Sequence, residues 1–95
     1  MNIRLMYPGL PKAWRASKTA RKRYRQQGGK CLLCGDPLDD TTNIDHFVPR
    51  SKGGADNWGN RCFAHEPCNL KKSNTMPTCE EVKAFKRMIG HKVAA

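Results

Sequence analysis

The chain has 95 residues, of which 27% are charged and 38% apolar, and its formal net charge is +10. That length fits one small domain, residues 1 to 95, whose core is too modest to stabilise it unaided, so a disulfide or metal staple is expected. No apolar run approaches the roughly 20 residues of a membrane helix and no signal segment is recognisable, which argues against a membrane span and against a disulfide-forming compartment.

The charge is unevenly placed. Residues 1 to 30 carry nine of the 18 Lys/Arg and none of the eight Asp/Glu, while residues 31 to 95 are close to neutral. A block of one sign suits a polyanion, nucleic acid foremost, better than a merely solvated surface, which mixes signs. A nonspecific basic tail is the alternative. Pro8, Gly9 and Pro11 break any helix, so residues 1 to 13 are expected to form an extended arm. Residues 17 to 27 are helix-friendly and end at Gly28-Gly29, with Ala16, Ala20 and Tyr24 as a thin apolar stripe. Such a helix can lay that stripe on the domain and aim Arg21, Lys22, Arg23 and Arg25 at phosphates.

The five cysteines are an odd number, and two ligand pairs have x-x spacing: Cys31-x-x-Cys34 and His65-x-x-Cys68. Each such turn presents two ligands to one tetrahedral zinc ion, so Cys31, Cys34, His65 and Cys68 read as a structural zinc site rather than a disulfide framework. Gly35 lets the backbone fold round the first pair. Cys62 rivals His65 as fourth ligand, although its spacing from Cys68 makes no knuckle. Cys79 is expected as a free, partly buried thiol.

Between the two pairs, residues 41 to 45 read as a strand, 51 to 57 as a turn-rich loop, and 61 to 64 as a second strand antiparallel to the first. Residues 66 to 73 should be helical, so that the second ligand pair and Asn69 share a turn. Thr78-x-x-Glu81 is a capping-box signature opening a last helix over residues 78 to 89, with Val82, Phe85 and Met88 as its buried face. Trp58 is expected to pack in the loop, and Trp14 either to pack or to offer a base-stacking platform. The expected fold is therefore small α+β, a zinc-clamped core over residues 31 to 73 flanked by a basic N-terminal helix and a C-terminal helix.

Cys31-x-x-Cys34-Gly35, Asp45-His46-x-x-Pro49, Ser51-Lys52-Gly53-Gly54, Asn60 and Cys68-Asn69-x-x-Lys72 together resemble the HNH endonuclease family. The resemblance implies a ββα-metal fold, in which a hairpin and a short helix hold a divalent ion beside a general-base histidine. It assigns His46 as that base, Asp45 and Asn69 as ligands of Mg²⁺ or another ion such as Mn²⁺ or Ni²⁺, and Asn60 as the residue that steadies the loop and orients the histidine. The chemistry agrees: an imidazole titrates near neutrality, and Asp and Asn oxygens suit Mg²⁺. His65 stands where the family usually has cysteine, which a Cys₃His zinc site tolerates.

The expected function is a metal-dependent DNA endonuclease or nickase, with Lys71 and Lys72 as further phosphate contacts. A non-catalytic zinc-stabilised DNA-binding module and an RNA-directed nuclease are the alternatives. Expected partners are DNA and, in a larger phage or bacterial assembly, other proteins, with no membrane. The expected location is the cytoplasm of a bacterium or phage-infected host.

Overall fold

A computed structural model describes residues 6–90. Helix α1 (Lys18–Gln26) starts where the Ser17 hydroxyl accepts the Ala20 amide hydrogen, and it ends at Gly28 and Gly29, both at positive φ. Strand β1 (Thr42–His46) pairs antiparallel with β2 (Arg61–His65), with Thr42 opposite His65, Ile44 opposite Phe63 and His46 opposite Arg61. Helix α2 (Glu66–Lys72) leaves β2 directly, with Pro67 in its first turn where no amide hydrogen is needed. Helix α3 (Cys79–Met88) opens with the expected capping box, in which the Thr78 hydroxyl and the Glu81 carboxylate satisfy each other's backbone amides. The order β1–β2–α2 is the ββα arrangement anticipated from the sequence. Among the described residues no helix is long and apolar enough to cross a membrane.

Two apolar clusters hold the sheet. On one, Phe63 packs with Leu10, Ala20, Tyr24, Cys31 and Leu38; on the other, Cys62 packs with Phe47, Phe85 and Ile89. The alternation along β2 puts Cys62 and Phe63 on opposite faces, as a strand must. Phe47 stacks on Phe85 with ring centroids 4.4 Å apart, so α3 presses on the residue immediately after His46.

Residues 8 to 14 correct the expectation of an extended arm over residues 1 to 13, of which residues 1 to 5 lie outside the described residues. Leu10 is 1% exposed, Pro8 accepts the Tyr24 hydroxyl at 2.6 Å, and Lys12–Trp14 form a 3-10 turn. Gly9, at φ 86°, lies so close to Leu38 that a Cβ there would meet its backbone at 2.5 Å. The prolines end helices without preventing packing, and one leucine between them is enough apolar surface to bring the segment down. Trp14 and Trp58 meet edge to face at 5.5 Å, half-buried against the first cluster, so both serve packing. Cys79 is exposed rather than partly buried, because the first turn of α3 faces solvent.

Candidate metal centre and catalytic cleft

Cys31, Cys34, His65 and Cys68 come together, with one ligand atom from each lying within 4.8 Å of every other. His65 Nδ1 is 3.3 Å from Cys34 Sγ and 3.7 Å from Cys68 Sγ, on either side of the ~3.5 Å N···S edge of a tetrahedron with Zn–N bonds of about 2.0 Å and Zn–S bonds of about 2.3 Å. His65 Nε2 lies 2.8 Å from the Pro37 carbonyl, so that nitrogen carries the hydrogen and Nδ1 offers its lone pair. Burial works against a Cys31 thiolate, but the amide hydrogens of His65, Cys34 and Leu33 directed at its sulfur outweigh that and bring its pKa down to about 7. Desolvation, together with the Cys34 and Cys31 sulfurs, pushes Cys68 up to about 11, since crowded thiolates repel one another. A bound cation removes that penalty, so the group fits a metal ion. Cys62 is not part of it: fully buried on β2, with a pKa raised first by burial, its thiol lies 3.6 Å from the Asp45 carbonyl.

Asp45, His46 and Asn69 line one open cleft of about 250 Å³, together with Arg50, Ser51 and Ser73. Asp45 and His46 are the last two residues of β1, and Asn69 is on the second turn of α2. Asn60 stands behind this cleft, 7% exposed, and acts as a three-way tie. Its Oδ1 accepts from Val48 N at 2.8 Å, and its Nδ2 donates to Val48 O at 2.9 Å and to Ala55 O at 2.8 Å. Gly54 has to be glycine for that tie to form, because a Cβ would sit 1.8 Å from Val48 O. Asn60 thus fixes the loop that leaves His46 without touching the imidazole itself.

The contact with the imidazole comes from a residue the sequence did not single out. Asp56 Oδ1 is 2.7 Å from His46 Nε2 and also accepts from Arg61 Nη2 at 3.1 Å, with Arg50 Nη1 3.8 Å from its other oxygen. The His46 contact first, and then Arg61, hold the Asp56 pKa down to about 2. An ionised carboxylate only accepts, so His46 Nε2 donates, which in the neutral ring places the lone pair on Nδ1. Asp56 lies in a stretch that reads as a turn, where an aspartate is ordinary; only pairing His46 with Arg61 across the hairpin reveals its position.

The basic residues separate. Lys22 and Arg25 are exposed, the latter touching the Tyr7 hydroxyl at 2.9 Å, and Arg21 is half-buried with one nitrogen 2.7 Å from Arg15 O. Arg23, expected to reach a phosphate, is instead buried: Nη1 donates to Trp58 O and Arg61 O, both at 2.8 Å, and the guanidinium lies over the Phe85 ring. It faces inward because it follows Ala20 by three positions on the stripe side of α1. Lys71 is exposed, whereas Lys72 donates to Asp45 Oδ2 and to His46 O, each at 2.9 Å. Among the described residues, ion pairs involve only positions from Asp39 onward, so the cations of residues 12 to 30 face no acid.

Residues 31–75 match the family model described as HNH endonuclease. Over these residues, just under half of its length, the chain is similar to the HNH endonuclease family. The fold is also similar to part of a crystal structure of Streptococcus thermophilus Cas9 in complex with AGGA PAM, with a TM-score of 0.53 and 22% identity. That match covers 77% of this chain and 9% of the Cas9 chain, so the two share a fold over a small part of the larger protein. A search of curated proteins returned no match. The matched stretch takes in both metal-ligand pairs, β1, β2 and α2, and lies between α1 and α3.

Proposed function

We propose that this chain is a metal-dependent DNA endonuclease or nickase of the HNH type, with His46 as general base, one divalent ion on Asp45 and Asn69, and a structural zinc on Cys31, Cys34, His65 and Cys68. The observation that carries the reading is the cleft itself. A base and a hard carboxylate at the end of β1 and a carboxamide on α2 line one opening that also bears Arg50. The donor set fits a Mg²⁺-like ion, since both oxygens are hard and the open cleft leaves room for water and phosphate. When bound, such an ion polarises the phosphate and offsets charge on the leaving oxygen.

The remaining chemistry belongs to side chains. Asp56 holds the imidazole by Nε2–H, which leaves Nδ1 to take the proton of a water molecule attacking the phosphorus in line. As the proton arrives, the Asp56 carboxylate stabilises the imidazolium, as a carboxylate does behind any basic histidine. Asn60 keeps Val48 and Ala55 in place, so that His46 and Asp56 remain at this separation without substrate. By likeness to the family, the products end in 5′-phosphate and 3′-hydroxyl. The exposed cations of residues 12 to 30, Lys22 and Arg25 among them, supply attraction to the nucleic-acid backbone.

Incubation of the zinc-loaded protein with plasmid in Mg²⁺, Mn²⁺ or Ni²⁺ tests the reading, and nicked or linear products are expected. Tight DNA binding with no cleavage in any of these ions would replace it with a DNA-binding module. Preferential cleavage of structured RNA would redirect it to the other nucleic acid.

A further inference from the structure

The hydrolysis outlined above leaves Lys72 without a role, yet its ammonium is bound to two groups of the residues that line the cleft, Asp45 and His46. It lies 2.9 Å from both Asp45 Oδ2 and the His46 carbonyl, and the side chains of Lys72 and Asp45 are only 12% and 7% exposed. A carboxylate that deeply set needs a positive partner. The other nearby acid, Asp56, is already taken by His46, Arg61 and Arg50, and Asp45 is the single carboxylate lining the cleft among the described residues.

We propose that Lys72 is the standing counter-ion of Asp45, and that it makes loading of the divalent ion depend on the phosphate of the substrate. The proposal rests on Asp45 being a ligand of that ion. Placed on Asp45, a divalent ion brings two positive charges beside the Lys72 ammonium, with Arg50 also lining the cleft. Like charges a few ångströms apart in a half-buried site repel strongly enough to change affinity by an order of magnitude or more. In the free protein Lys72 already satisfies Asp45, so the ion gains little. A phosphate diester entering the cleft supplies the missing negative charge, and ion and substrate then bind each other's complex more tightly than either binds alone. The same contacts could instead be a plain structural tie between α2 and the end of β1. The two roles give opposite signs: losing a tie loosens the Asp45 site and weakens ion binding, whereas losing a counter-ion strengthens it.

Calorimetric titration of Mg²⁺ into the zinc-loaded full chain separates them. Every protein carries His46→Ala so that nothing is cut, and each is titrated with and without a short DNA duplex. Lys72→Met is expected to bind Mg²⁺ about tenfold more tightly than its parent, to gain less from added duplex, and to show a larger Mg²⁺-induced rise in Tm. That last readout serves even if the variant is too unstable to titrate. Lys72→Arg, which keeps the charge, should behave as the parent does. Equal or weaker Mg²⁺ binding by folded Lys72→Met, while the parent's binding is abolished by Asp45→Asn, overturns the counter-ion role alone. Mg²⁺ binding that Asp45→Asn leaves intact, or none in any protein with or without duplex, overturns the cation site as well.

Discussion

Replacing Asn60 by alanine removes three hydrogen bonds at once, to Val48 N, Val48 O and Ala55 O. A net value near 1 kcal/mol for each gives a loss of about 3 kcal/mol. In a domain of this size 1 kcal/mol moves Tm by roughly 4 to 8 °C, so the melt should fall by roughly 12 to 24 °C. Asn60→Asp should be worse despite its matching shape. Its Oδ1 still accepts from Val48 N, but a carboxylate oxygen then faces the two carbonyls that Nδ2 now serves, with repulsion in place of two bonds. The assay is thermal unfolding by circular dichroism on zinc-saturated protein, with zinc content measured in parallel, because the metal-ligand group lies apart from this loop. A fall below 3 °C for Asn60→Ala, or an Asn60→Asp variant more stable than Asn60→Ala, would refute the three-way tie.

Asp56→Ala should lower kcat by roughly tenfold to a hundredfold with KM little changed, and Asp56→Asn should lose less, since its carbonyl still accepts from His46 Nε2; single-turnover cleavage against substrate concentration reads the split. The folded pKa of Asp56, about 2, lies below the ordinary carboxylate value near 3.9, so its stabilising contribution is present above about pH 4 and is lost as pH falls toward 2. Asp56→Asn should therefore flatten the acid-unfolding curve in that window. Cys62→Ala should keep the full zinc content whereas His65→Ala loses it and unfolds, a difference that metal analysis and circular dichroism detect together. Arg23→Ala should destabilise the fold and leave the salt dependence of DNA affinity unchanged, while Lys22→Ala with Arg25→Ala lowers that slope by up to about 1 per lost phosphate contact in a binding titration.

Where local spacing determines geometry, the sequence was enough to read the structure. The x-x pairs, the β-branched run into His46 and the Thr78-x-x-Glu81 cap each depend on neighbours within one turn, and each forms as expected. What escaped was set by residues far apart in the chain. Asp56 meets His46 only because β2 returns Arg61 opposite it, and Arg23 turns inward because two backbone carbonyls, at Trp58 and Arg61, are left for it by that same return. Gln27 is a parallel case: at the end of α1 its side-chain amide both accepts from Phe63 N and donates to Phe63 O, acting as one more strand residue on the edge of β2. Charge clustering in the sequence could not distinguish Arg23 from its exposed neighbours, since the apolar stripe of α1 is only one residue wide.

The central claim is that His46 takes the proton of the attacking water in a cleft that binds DNA phosphate. Single-turnover cleavage of supercoiled plasmid by zinc-saturated wild-type and His46→Ala protein, matched for DNA affinity, measures this most directly. Cleavage slower by roughly a hundredfold or more in the variant is the predicted result. Equal rates in the two proteins would contradict the account.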